Sequence, residues 1–145
     1  MNTWTRLFTR LHQFVYRLTR GHLGHRVGRQ SVLLLHTVGR RSGKHHITTL
    51  SYYRDGDNYL VVASNWGEES QPDWYLNLVK NPCTTIQVKD KQLQVEASLA
   101  QGEEYERLWQ LVTQKNAQYV RYQEGLVRHI PIVVLSPVVT PKDRS

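Results

Sequence analysis

The chain has 145 residues, 39% of them hydrophobic, with 19 Lys or Arg against 12 Asp or Glu and a net charge of +7. That length fits one domain, and no run reaches the roughly 18 consecutive apolar residues of a membrane-spanning helix. Cys83 is the one cysteine, which excludes an internal disulfide and, with no secretory-type apolar core read at the start, sets the expectation of a cytoplasmic protein.

The total charge hides an asymmetry. Residues 1–54 hold ten Lys or Arg, six His and no acid, whereas the remainder sets nine cations against twelve carboxylates, a balance of −3. A basic first third calls for an anionic partner: nucleic acid, a membrane surface or a polyanionic small molecule.

From Trp4 to Leu18 the apolar residues Trp4, Leu7, Phe8, Leu11, Phe14, Val15 and Leu18 follow helical spacing, with Arg6, Arg10, Arg17 and Arg20 opposite them. Residues 1–20 therefore read as an amphipathic basic helix, suited to covering a core or to lying on an anionic membrane surface. Arg20 to Gln30 holds three glycines without a period and reads as a loop, and residues 21–145 read as the main domain. Ser31 to Val38 is a predicted buried strand.

"GRRSGK", Gly39 to Lys44, breaks that strand. Glycines let the backbone turn tightly, and Arg offers a planar fork matched to phosphate or carboxylate oxygens. The spacing is not that of a Walker A loop. Two readings stand on chemistry alone, a solvated hairpin turn and an anion grip.

Ile47 to Arg54 and Tyr59 to Ser64 read as strands joined by "DGDN" at Asp55 to Asn58. His45 and His46 are adjacent, hence on opposite faces of a strand, so no metal site is expected. Asn65 to Asn77 is a polar loop feeding a short helix that starts at Pro72 and closes before Pro82; Trp66 and Trp74 there suit either a core or the walls of a flat ring.

Thr84 to Val88 and Leu93 to Leu99 form a second predicted hairpin, and Cys83 before them reads as a small core residue. Glu103, Glu104 and Glu106 open the next helix, where carboxylates suit the dipole, with Tyr105, Leu108, Trp109 and Val112 as its buried stripe. Ala117 to Leu126 is a further helical piece carrying Tyr119 and Tyr122 on one face, and "IPIVVLSPV" is the last strand. Hairpins with helices between them predict an α+β domain on a small antiparallel barrel with flanking helices.

In order and spacing, "LLLHTVGRRSGKHHITTLSYYRDGDNYLVVASN", "PDWYLNLVKNP", "YVRYQ" and "IPIVVLSPV" resemble the deazaflavin-dependent nitroreductase family, split β-barrel reductases that use coenzyme F(420). The resemblance covers about residues 20 to 138. It implies a reductase that passes a hydride from the reduced deazaflavin to a quinone, an enone or a nitro compound. The cofactor's tail carries a phosphate and several glutamates, so the resemblance implies that Arg40, Arg41, Ser42 and Lys44 grip this polyanion.

Carried over by position, it also implies that His46, Ile47, Thr48, Thr49 and Leu50 line the cofactor, with Val62, Ala63, Ser64 and Asn65 on the neighbouring strand. Asp73, Trp74, Tyr75, Leu76 and Asn77 would approach the ring and linker, Tyr119 would sit over the ring, and Ser64 with Tyr122 would face the acceptor. Ser64, Tyr119 and Tyr122 are thus the implied catalytic residues. The chain departs from the family pattern in His46 for a usual Arg, Thr49 for a common Pro, Trp66 for a small Gly, and Asn116 where some members place a third Tyr.

Two rival readings are distinguishable. An FMN- or haem-binding split barrel keeps the fold, but one FMN phosphate needs fewer than three cations. A basic nucleic-acid-binding module lacks the interleaved aromatics of a stacking platform, so no nucleic acid partner is expected. Peripheral membrane contact through residues 4–20 is compatible with the enzyme, and the sequence leaves monomer and homodimer open.

Overall fold

The computed structural model describes residues 26–27 and 30–138, with side chains from residue 31 onward. The basic helix expected at residues 1–20 lies outside the described residues. In chain order the elements are β1 (Arg26–Val27), β2 (Gln30–Val38), β3 (His45–Ser51), β4 (Tyr53–Asp55), β5 (Asn58–Val62), a one-turn 3-10 helix (Asn65–Gly67), α1 (Asp73–Lys80), β6 (Cys83–Val88), β7 (Lys91–Leu99), α2 (Gly102–Lys115), α3 (Gln118–Glu124) and β8 (Ile132–Pro137).

Every described strand pairing is antiparallel, in the order β1-β2-β6-β7-β8-β5-β4 with β3 also on β2. The stretch read from sequence as one strand, Ile47 to Arg54, breaks at Tyr52. Its first part, β3, pairs with β2, its second, β4, pairs with β5, and the Tyr52 amide donates to Ser31 O at 3.1 Å. One bent segment thus joins both ends of the sheet and curls it into a barrel. β3 and β5 lie adjacent without pairing, which is where the barrel is split.

Period-2 alternation gives the sheet two apolar faces. Inward go Leu33 and Leu35 of β2, Tyr59 and Val61 of β5, Ile86 and Val88 of β6, Val95 of β7, and Val133 and Leu135 of β8, and Trp74 and Leu78 of α1 plug this interior. Outward go Leu60 and Val62 of β5 and Ile132 and Val134 of β8, covered by Tyr105, Leu108 and Val112 of α2 and Tyr119 of α3. Each fully buried aliphatic side chain contributes about 1.5–3 kcal/mol. The result is the α+β antiparallel barrel expected from the hairpins, split as the resemblance implies.

Cys83 corrects an expectation: it is exposed. β6 reaches the barrel interior only from Ile86 onward, so its first residue has nothing to pack against.

Candidate active site

The basic turn between β2 and β3 is closed by its own backbone, Gly39 N donating to Lys44 O at 2.8 Å and Gly43 N to Gly39 O at 2.9 Å. A Cβ at Gly39 would stand 2.5 Å from Ser42 Oγ and 3.2 Å from His46 Nε2, so a larger residue would displace those two side chains. The three cations have different fates. Arg40 is one-quarter exposed and is spent inside the protein: its amide and Nη1 both donate to Asn77 Oδ1, at 3.1 and 2.9 Å, and Nη2 reaches Asp73 Oδ1 at 3.3 Å. Arg41 and Lys44 are exposed, and their side chains have no partner among the described residues. Arg40 therefore docks the turn onto the first turns of α1, and two free cations are presented from a fixed base.

The same bonds reassign α1. Asp73 and Asn77, one helical turn apart, face Arg40; Trp74 and Leu78 point into the barrel, so Trp74 is part of the core. Tyr75 and Leu76 are half-buried. Tyr75 lines a separate apolar cavity of about 230 Å³ with Leu78, Val79, Pro82, Ala97, Ser98, Leu99 and Val133.

Register divides the predicted β3 residues between two faces. His46, Thr48 and Leu50 lie opposite Thr37, Leu35 and Leu33, on the barrel side. Ile47 and Thr49 lie opposite His36 and Leu34, on the other side, where Ile47 packs on Val32 and Leu34. His45 is on that second face too, its ring stacked on His36 with Nε2 2.8 Å from His36 Nδ1. No five consecutive side chains can line one surface of a strand. Thr49 Oγ1 and Thr37 Oγ1 are buried without a hydrogen-bond partner among the described residues, each a cost of about 1–3 kcal/mol unless a ligand satisfies it.

At the end of β5, Val62 and Ala63 are buried on opposite faces, and Ser64 and Asn65 follow half-buried. The chain then makes a left-handed turn, with φ of 49° at Asn65, 59° at Trp66 and 80° at Gly67. Left-handed backbone costs a side-chain-bearing residue about 1–2 kcal/mol. The turn is held from 60 residues away. Arg128 Nε donates to Glu68 O at 2.9 Å, Nη1 to Ala63 O at 3.1 Å and Gln71 Oε1 at 2.9 Å, and Nη2 to Ser64 O at 2.8 Å. Burial lowers the Arg128 pKa from its ordinary value, against the opposing pull of the Glu69 carboxylate. Glu69 in turn accepts from the Val127 amide at 2.8 Å.

That turn packs on α3, where a Cβ at Gly67 would stand 2.8 Å from the Tyr122 ring. Ser64 and Tyr122 therefore share one corner of the molecule, and neither hydroxyl has a partner among the described residues. Tyr119 is different. Only 7% exposed, its ring lies in the apolar layer under α2, and its hydroxyl meets Tyr53 Oη at 2.9 Å, with Asn116 also bonding the pair. Burial, ahead of the neighbouring phenols, raises the Tyr119 pKa strongly, so this hydroxyl keeps its proton. Tyr53 is shifted upward for the same leading cause.

Sequence reading missed Tyr53 and Arg128. Tyr53 stands in "SYYRD" like any strand aromatic. Arg128 lies in an apolar-to-basic stretch with no pattern pointing at it; four acceptors between residues 63 and 71 reveal its task.

The description "F420H(2)-dependent quinone reductase" matches residues 7–137. The chain belongs to that family. An F420H(2)-dependent quinone reductase of Mycobacterium tuberculosis is 46% identical over 131 residues, 88% of either chain. A second from that organism, named a putative member, is 38% identical over 105 residues, covering 72% of this chain and 88% of its own. Among solved structures, an F420-H2 dependent reductase superposes with a TM-score of 0.67 at 33% identity, covering 72% of this chain and 93% of that one.

The family fixes coenzyme F(420) over FMN, and the residues present fit it. Two cations without a partner among the described residues, and the Ser42 hydroxyl, match the chemistry of a phosphate and carboxylates. The haem-storage protein of Vibrio cholerae, at 14% identity and a TM-score of 0.60, shares the fold alone.

Proposed function

We propose that this chain reduces a quinone at the corner formed by Ser64 and Tyr122, with coenzyme F(420) held along β3 and its acidic tail on the β2–β3 turn. Bound there, the reduced deazaflavin supplies a hydride to the acceptor. The observation carrying this reading is the unequal fate of the three turn cations: Arg40 fixes the turn on α1, which leaves Arg41 and Lys44 free for an anion. Their attraction is to charge, so they add affinity in either redox state and position the ring only through the tail. Ser42 adds a neutral hydroxyl, and His46, across from Thr37, adds an exposed imidazole beside the turn.

On the acceptor side, the Tyr122 and Ser64 hydroxyls are free to donate to a carbonyl oxygen. Negative charge develops on that oxygen as the acceptor is reduced, and a hydrogen bond aimed at it stabilises the developing anion. Tyr122 then passes on its proton and recovers one from water. Tyr119, locked to Tyr53 and with a raised pKa, orients α3 and does not supply that proton. Tyr122→Phe and Ser64→Ala should each lower kcat by about tenfold to a hundredfold with the cofactor Kd unchanged; unchanged turnover would remove both residues from the mechanism.

Fluorescence quenching by coenzyme F(420), a tail-less analogue and FMN tests the cofactor. Equal affinity with and without the tail would overturn the role of the turn. A quinone acceptor partitions into lipid, and contact of residues 4–20 with an anionic membrane suits that supply. Flotation of the full chain, but not of a chain lacking residues 1–20, with anionic vesicles is the expected result. No helix among the described residues is long and apolar enough to cross a membrane.

A further inference from the structure

Trp66 breaks two rules at once. It is a bulky residue in left-handed backbone, between Asn65 and Gly67 which tolerate that conformation far better, and its indole is 62% exposed. Among the described residues neither feature is repaired: the side chain has no hydrogen bond, ring contact or cation over its face. Such strain persists only where the surroundings over-determine it, and here they do. Gly67 N donates to Ser64 O and Glu68 N to Asn65 O, both at 3.0 Å, Asn65 Nδ2 donates to Ser70 O at 2.9 Å, and Arg128 holds three carbonyls of the same loop. The backbone under Trp66 is fixed while its ring stands free.

The position matters as much as the strain. Trp66 is two residues from Ser64, and the turn that carries it rests on the Tyr122 ring. The two free hydroxyls assigned to the acceptor and this exposed indole therefore belong to one corner. The next tryptophan along the chain, Trp74 of α1, is packed in the barrel.

We propose that Trp66 is a specificity-determining residue: its indole is a stacking surface for the face of a planar, conjugated acceptor, and selects such acceptors over small aliphatic ones. This rests on the reading of the Ser64–Tyr122 corner as the acceptor site. A rigid platform costs little entropy on binding, and offset stacking of two π-systems rewards a flat ring and not a puckered one.

The test compares Trp66→Gly and Trp66→Phe with the parent chain, using menadione as a bicyclic quinone and cyclohexenone as an aliphatic enone. Trp66→Gly should cut the menadione-to-cyclohexenone ratio of kcat/KM by about threefold to tenfold, through the menadione KM. Trp66→Phe should hold that ratio within about twofold, since a phenyl ring still stacks. The thermal midpoint of Trp66→Gly should equal or exceed that of the parent, because glycine relieves the backbone.

In protein free of cofactor, menadione should quench a saturable part of the tryptophan fluorescence that is missing in Trp66→Phe. An unchanged ratio, a lower menadione KM in Trp66→Gly, or a midpoint lowered by more than about 4 °C would each overturn the proposal, the last by making the indole a packing element. Saturable, Trp66-dependent quenching in a chain without reductase activity would preserve the stacking site and discard the proposed reaction. Activity without such quenching would do the reverse.

Discussion

Arg128→Ala removes a guanidinium that makes four hydrogen bonds to acceptors 57 to 65 residues away. A bond from a charged donor is worth about 1.5–3 kcal/mol when buried. The side chain is only half-buried and water reaches the freed carbonyls, so the four together amount to about 3 kcal/mol and not the full sum. For a domain of this size that is a fall of about 10 °C in thermal midpoint.

The local effect should exceed the global one. The Gly67 and Glu68 amides bond within the turn that Arg128 holds, and their hydrogen exchange should accelerate at least tenfold while amides of β6 and β7 keep pace with global unfolding. Arg128→Lys keeps the charge but not the planar fork, and one ammonium cannot reach Ala63, Ser64 and Glu68 together. It should therefore recover less than half of the lost stability. Acceptor turnover should fall in both variants, since Ser64 and the turn against Tyr122 lose their anchor. If Arg128→Lys matches the parent in midpoint and in exchange at residues 67 and 68, charge alone holds the loop and the argument from geometry is refuted.

Three further outcomes follow from the same contacts. Replacing both Arg41 and Lys44 by Ala should weaken coenzyme F(420) binding about tenfold and flatten its salt dependence, with a tail-less analogue unaffected, as read by fluorescence titration. Leu108→Ala, which empties a fully buried position between α2 and the sheet, should cost about 2–5 kcal/mol in denaturant unfolding. Tyr105 donates to Ile130 O at 2.6 Å, and burial pushes its pKa up to about 12 from 10.0. The fold favours the neutral phenol, so this stability is whole below pH 10 and is lost as pH climbs toward 12. Its phenolate band should appear together with loss of circular dichroism, and a titration completed before unfolding would contradict the burial argument.

The sequence by itself determined the sheet's two-sided strands, the helices over their outer face and the basic first third, because periodicity and charge are local properties of the chain. The ordered blocks from Leu33 to Val138 also carried the resemblance that the family match bears out. Local pattern could not say that β3 and β4 part at Tyr52, since a change of pairing partner depends on where distant strands close the ring. Nor could it rank the three cations of one turn: Arg40 is internal only because folding brings Asn77 and Asp73 against it. The Arg128 clasp on residues 63–71, the Tyr53–Tyr119 bond and the strain at Trp66 were likewise decided by tertiary structure. Each joins groups dozens of residues apart, or is enforced by such a contact, and no spacing rule along the chain encodes that.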